Sequence, residues 1–452
     1  MTGREIRVPD DALVVLNRLE EHGHRAYVVG GCVRDSLLNQ PPKDWDICTS
    51  ARPEEMEDLF RDFHVVETGL KHGTLTVVLN HVPYEVTTFR TDGAYTDHRH
   101  PDEVTFVREV EADLARRDFT VNAMAYNPAE GIIDCFGGQE DIRRRVIRCV
   151  GDPAARFGED ALRILRALRF ASVYGFAVEE ETARAAMDMA DDLRHVAAER
   201  IRVELAKLIC GQSAEDVLRA YVNVIGVVIP EILPMVGFDQ RTPHHRYDVW
   251  QHTLRTVAAA PVTEVLRWTM LLHDAGKPAA FTVDERGIGH AYGHQKISAD
   301  LAAQVFDRLR MDRATRDRAL LLIQHHDIPM AAETRPMLRL LNRFGAEAVG
   351  QLIEVQRADQ LGKGTVERRE VEEQAERLRE TLATVLREQN CFRLDQLAVN
   401  GRDLAAAGMK PGKEMGAALQ GLLEAVMAGR VPNRRDALLQ FAGLSADGER
   451  QP

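Results

Sequence analysis

The chain has 452 residues, a formal net charge of −12, 45% apolar residues and 28% charged residues. These proportions exclude a disordered or fibrous chain, and ~150 residues per domain implies about three units. The acidic balance excludes nucleic-acid binding through a uniformly basic surface, although residues 143–148 (RRRVIR) and 163–169 (RILRALR) can form a basic lining inside an acidic shell. The opening MTGREIRVPDD has no apolar h-region, and nowhere do 18 apolar residues run together. Neither export nor membrane spanning is expected, and the expected location is the cytoplasm. Six cysteines without C-x-x-C spacing argue against a zinc ribbon or a disulfide framework.

Apolar periodicity predicts a helix over residues 10–22, then strands near 27–29, 44–48, 73–79 and 84–89. Between the first two strands lies VGGCVRDSLLNQPPKDWDI, residues 29–47. The first strand runs into Gly30-Gly31, whose missing Cβ atoms let backbone N–H groups approach phosphate oxygens as residues 32–38 turn helical. Arg34 sits on that first turn, placed for the same anion. In an extended segment Asp44 and Asp46 project to one side while Trp45 and Ile47 project to the other. Two carboxylates so placed can hold a divalent metal. Glu85, in PYEVTTF, is a candidate third carboxylate, against the commoner reading of a solvated strand residue. RRDFTVNA, residues 116–123, packs two cations, an acid and an amide into eight positions, a set able to meet a triphosphate and its ribose.

Beyond about Asp152 strand signals nearly vanish, and residues 159–173, 179–193 and 198–209 carry the 3.6-residue apolar rhythm. Asp160 and Arg163 stand at i,i+3 on the first of these helices. Cytosine and adenine each offer an amino donor beside a ring-nitrogen acceptor, so one carboxylate and one guanidinium can read both. Uracil and guanine reverse that order. The competing reading is an intrahelical ion pair worth ~0.2–0.5 kcal/mol. Boundaries are expected near residues 227–234 and 362–364, the latter followed by a charged helix over 366–389. Eight of the sixteen histidines fall between His244 and His326. His252, His273-Asp274, His294, His325-His326 and Asp359 form an ordered set of metal-capable residues.

The apolar strand, GG, Arg34 and the D-x-D pair resemble the signature of polymerase-β-like nucleotidyltransferases. GGCVRD, DWD, RRDFTVNA, EDALRILRALRFA and ERIRVELAKLI together resemble the class II tRNA nucleotidyltransferases, the CCA-adding enzymes, and their relatives the bacterial poly(A) polymerases. The resemblance implies an α+β fold. A nucleotidyltransferase head with a small mixed sheet (1–150) precedes an all-α neck carrying the base-reading helix (151–226), an HD metal-binding domain (227–362) and a tRNA-binding tail (363–452). It implies Asp44 and Asp46 as magnesium ligands, Gly31 and Arg34 at the triphosphate, and Arg117 with the incoming nucleotide. Asp160 and Arg163 become the template for the base, with Arg166 and Arg169 as further nucleotide contacts. Helical geometry sets Arg169 apart, because each three-residue step rotates the side chain ~60° back around the axis.

The implied reaction is metal-dependent attack of the tRNA 3′-hydroxyl on the α-phosphate of CTP or ATP, releasing pyrophosphate. Residues 90–101 look like the flexible loop of CCA- and CC-adding enzymes, which weighs against A-only addition. CC addition alone fits the same residues, and poly(A) synthesis shares the head motifs. The H…HD…D set resembles the HD metal-dependent phosphohydrolases, implying His252, His273, Asp274 and Asp359 as ligands of a divalent transition metal or magnesium. His294, His325 and His326 are candidates to extend that site to a second ion. In a reading of another class, the chain is chiefly an HD phosphohydrolase with a nucleotide-binding head. Oligomeric state has no signature in the sequence.

Overall fold

The computed structural model describes residues 6–69, 73–93, 104–243, 245–388 and 391–444. The chain separates into two compact units, one running to Leu233 and including Arg308–Met311, the other holding Pro234–Asp307 and the chain from Asp312 onward. The first unit is built on strands β1 (Ala26–Val29), β2 (Ile47–Thr49), β3 (His64–Gly69), β4 (Thr74–Leu79), β5 (Val82–Thr88), β6 (Arg90–Asp92), β7 (Val104–Phe106), β8 (Ala125–Asn127) and β9 (Gly131–Ile133). Seven of them form one mixed sheet in the order β3-β4-β5-β2-β1-β8-β9, while β6 and β7 pair separately. β1 and β2 are buried at every position, as central strands covered on both faces should be. Strands β3, β6, β7, β8 and β9 are not among those that the sequence pattern predicts. The loop expected over residues 90–101 lies largely outside the described residues.

β2 and β5 run parallel, with Ile47 opposite Val86. The sequence pattern predicts a strand over residues 44–48, but β2 starts only at Ile47, so Asp44 and Asp46 lie on the extended approach to it. The Asp46 carbonyl still accepts the Val29 N–H at 2.9 Å, which fastens that approach to β1. Carrying the β2–β5 register back one residue puts Asp46 beside Glu85.

Helices dominate beyond the sheet. Ala198–Ile209 has the bounds its periodicity predicts. The helix expected over 159–173 is instead two, Pro153–Glu159 and Leu162–Tyr174, with Asp160 extended between them (φ −149°, ψ 103°). The Asp160 carboxylate accepts the Leu162 N–H at 3.1 Å, the capping bond that makes aspartate favourable just ahead of a helix and unfavourable inside one. Leu162–Tyr174 is tied to the strand-rich part by an ion pair between the buried Asp118 and the half-exposed Arg166. Arg166 Nε donates to Asp118 Oδ2 at 2.8 Å, while Asn122 Nδ2 donates to Oδ1 at 3.0 Å. Burial would raise the Asp118 pKa, but Arg166 and Asn122 outweigh it and hold the carboxyl below the usual range.

In the second unit the Thr334–Lys363 helix, broken at Gly345, packs along Val249–Ala259. The two approach closely at Gly362, where an added Cβ would overlap Thr256 Cγ2 and lie 3.1 Å from His252 Nδ1. Among the described residues no helix is long and apolar enough to cross a membrane.

Two measurements of stability follow from this packing. Gly362→Ala should cost about 1–3 kcal/mol through overpacking, read as a lower denaturant midpoint. Asp118→Asn should cost about 1–2 kcal/mol at pH 7, less than for a fully buried pair because water reaches the Arg166 guanidinium left behind. Because the folded pKa of Asp118 is depressed, its stabilisation is present above the unfolded value of about 4 and is lost as pH falls further. The gap between wild type and Asp118→Asn, followed by urea titration, should narrow below about pH 4.

Candidate active site

Asp44 is exposed and Asp46 half-buried, both at the mouth of the β1–β2–β5 region. Burial first, then the charges of Asp44 and Glu85, push the Asp46 carboxyl up to about 6, with Arg117 pulling it back. Glu85 is therefore electrostatically part of this group. The sequence pattern named it only as a candidate, since its proximity depends on a parallel strand pairing across some forty residues.

The glycine pair works as one strained position and one ordinary one. Gly30 has φ +80°, and a Cβ there would come within 2.9 Å of Arg117 Nη1. Gly31 opens the Gly31–Leu37 helix, and a Cβ there would meet Arg34 Nη2 only at a normal contact of 3.5 Å. Gly30 is thus the position that demands glycine, by conformation and by the cation packed against it. Arg117 is held by Asp113, which is fully buried and also takes Arg116, at 3.2 and 2.7 Å respectively. Burial would raise the Asp113 pKa, but these two arginines lower it overall.

Three of the arginines expected at the nucleotide converge on one aromatic ring. The guanidinium carbons of Arg34, Arg166 and Arg169 lie 5.1, 5.6 and 3.8 Å from the centroid of Phe170. Arg34 is itself buried, bonding to Asn122 and to Asp35 at 2.9 Å, and sits 4.7 Å over the Tyr174 ring. Arg169, set apart from Asp160 by helical geometry, ion-pairs with Glu204 at 2.6 Å and rejoins the cluster through Phe170. Phe170 was not singled out as a site residue, whereas Asn122 is the amide of the 116–123 set. Phe170 carries no chemistry-bearing group, and its role emerges only once three cations are placed around it.

Asp160 and Arg163 do not pair with each other. Arg200 reaches both Asp160 oxygens, at 3.3 and 2.7 Å, whereas Arg163 pairs with Glu159 and donates to the Arg156 carbonyl at 3.0 Å. The helix start at Leu162 explains this: with Asp160 outside the helix, the i,i+3 relation no longer describes neighbours.

The second unit gathers the histidine set around Asp274. His252 Nε2 lies 3.3 Å from Asp274 Oδ2 and 3.1 Å from Asp359 Oδ1, and His273 Nε2 lies 3.3 Å from Asp274 Oδ2. On the other carboxylate oxygen, His294 and His326 Nε2 stand 3.3 and 3.8 Å from Asp274 Oδ1 and 3.3 Å from each other. His273, His294 and His326 each have Nδ1 at 2.7–2.8 Å from a backbone carbonyl, which fixes the tautomer and leaves Nε2 facing inward. Two triads have ligand atoms within 4.8 Å of one another: His252, His273 and Asp274, and Asp274, His294 and His326. Among the described residues Asp44, Asp46 and Glu85 do not close to that spacing. His325 faces the other way and packs on Phe344 at 4.8 Å.

Asp274 is buried, and Lys277 Nζ lies 2.7 Å from Oδ2, yet neither oxygen accepts a hydrogen bond of proper geometry. Burial opposes ionisation of Asp274, but His273 and Lys277 hold its carboxyl well below the usual range. Burial also opposes charging His273, but Asp274 and Asp359 push it up to about 9. A buried carboxylate facing imidazoles on both sides is a donor set suited to divalent ions.

Residues 26–148 match the family model described as "Poly A polymerase head domain", residues 175–231 match "Probable RNA and SrmB- binding site of polymerase A", and residues 302–442 match "tRNA nucleotidyltransferase domain 2 putative". The CCA-adding enzyme of Lactiplantibacillus plantarum is 35% identical over 441 residues, covering 96% of each chain. That of Limosilactobacillus fermentum is 35% identical, again covering 96% of each. Among solved structures, the Bacillus stearothermophilus CCA-adding enzyme in complex with CTP is 32% identical, covers 95% of each chain and superposes with a TM-score of 0.71. With both units aligned to such relatives, and the carboxylates, glycine pair and arginines placed as above, the chain belongs to the CCA-adding enzyme family.

Proposed function

We propose that this chain adds CCA to tRNA 3′ ends from CTP and ATP without a nucleic-acid template. The observation that carries the reading is the β2–β5 register that sets Asp46 beside Glu85, with Asp44 and Arg117 acting on the same carboxyl, in the unit that also holds the Arg34–Arg166–Arg169 cluster. Asp46, pushed up to about 6 by burial first and then by the charges of Asp44 and Glu85, suits a divalent cation that would offset both. Asp44, Asp46 and Glu85 would hold magnesium, which when bound lowers the pKa of the attacking hydroxyl and offsets charge building at the α-phosphate.

The chain's own groups do the rest. Backbone N–H groups after Gly30, with Arg34 and Arg117, receive the triphosphate and orient pyrophosphate to leave in line with the entering 3′-hydroxyl. Arg166 and Arg169, stiffened against Phe170, supply further positive charge. Asp160 accepts from the amino group of cytosine or adenine, and Arg163 donates to the adjacent ring nitrogen. Each must first exchange its present partner, Arg200 or Glu159, for the base. All six cysteines are free thiols, which fits a cytoplasmic setting.

A second reading concerns the second unit, and the two-sided Asp274 favours it. His252, His273, Asp359 and Asp274 Oδ2 would hold one divalent ion, and His294, His326 and Asp274 Oδ1 another. Ions held there would activate water towards a phosphoester, with a P–O bond to water forming as the ester P–O bond breaks and the alcohol leaves with a proton.

Incubation with tRNA lacking CCA, labelled CTP and ATP, and magnesium should give three added residues; two would indicate CC addition and a ladder poly(A) synthesis. Asp44→Ala should lower addition by more than ~10³-fold with the thermal transition and tRNA binding nearly unchanged, and retained turnover would refute the assignment. Asp274→Asn should lose manganese or nickel bound per chain, measured by elemental analysis after dialysis, while CCA addition continues at the wild-type rate.

A further inference from the structure

The cavity above Asp274, about 340 Å³, is walled by Phe238 and Phe281 and opens past His290 and Tyr292. Its size suits one small ligand. Tyr292 is 81% exposed, the most exposed of the large hydrophobic side chains in the described chain. Its ring lies parallel to His290, with centroids 5.2 Å apart and planes at 8°. His290 ends a short antiparallel ribbon, Thr282–Val283 with Gly289–His290, and its Nε2 is 3.1 Å from Asp284 Oδ2. One face of Tyr292 is thus backed by a ring that is itself fixed, and the other is free. Only Gly293 separates Tyr292 from His294, whose imidazole faces the unbonded Asp274 Oδ1. A flat aromatic platform at the mouth and the proposed ion-binding centre within are set apart by two residues of chain, a reach of ~7 Å.

We infer that this cavity binds a nucleoside phosphate, its base stacked on Tyr292 and its phosphate directed to the Asp274 cluster, where Lys277 and Lys363 add positive charge. The inference rests on the phosphoester reading of the second unit. Stacking against an aromatic side chain accepts any base and contributes ~1–3 kcal/mol, so it selects nucleotides over other phosphoesters without selecting among bases.

The test uses the full chain, with manganese and again with EDTA, and AMP and ribose 5-phosphate as probes in titration calorimetry. AMP should bind about tenfold more tightly than ribose 5-phosphate to the manganese form. Tyr292→Ala should erase that preference, and Tyr292→Trp should keep it. An unchanged preference in Tyr292→Ala overturns the inference, whatever the chemistry at Asp274. If neither probe is hydrolysed and manganese does not bind through Asp274, yet the preference still follows Tyr292, the phosphoester reading falls and the stacking site stands. An RNA oligonucleotide ending in a 3′-phosphate, run beside AMP, separates the two sources of the ligand. Whichever loses more affinity in Tyr292→Ala is the form the cavity takes.

Discussion

Like charges gathered in one place are the constraint around which the first unit is arranged. Asp46 is partly withdrawn from water and shares its surroundings with Asp44 and Glu85. The sheet makes this tolerable by geometry, because β1, β2 and β5 are stitched by backbone hydrogen bonds that do not depend on the carboxylates. Opposite charge is kept within reach but not in contact: Arg117 lowers the Asp46 pKa while its own ion pair is with Asp113. A directly paired Asp46 would be quenched, whereas the observed arrangement leaves it answerable to a cation.

The same principle recurs with opposite sign at Phe170. Three guanidinium groups repel one another, and each is offset by its own acid, Asp35 for Arg34, Asp118 for Arg166 and Glu204 for Arg169. The ring between them supplies a weakly attractive face to each. Acids and bases in this unit therefore form an alternating mosaic, which reconciles a net charge of −12 with a site for polyanions.

Much of this was legible in the sequence, and each miss has its own physical cause. The GG and D-x-D elements could be read because their chemistry lies within nineteen residues of chain. Glu85 could not be assigned from the sequence, since only the parallel β2–β5 register brings it to Asp46. The 159–173 helix was misjudged at its start, where the preference of Asp160 for capping overrode the apolar rhythm. The histidines announced themselves by residue type, but whether His325 or His326 faces Asp274 was decided by the turn after Arg313–Gln324, where Ile323 O meets His326 Nδ1. β8 and β9, three residues each, are too short to show alternation.

The pairing of Asp160 with Arg200 bears on fidelity. A selector already satisfied by an internal partner sets a threshold, since an arriving base must replace both contacts of a half-buried ion pair before it is held. On the proposed reading, cytosine and adenine meet that threshold by supplying an amino hydrogen in Arg200's stead. Uracil offers a carbonyl that the carboxylate repels, and the original pair simply re-forms. Rejection then needs no steric barrier: the wrong nucleotide is outcompeted by a residue of the protein itself.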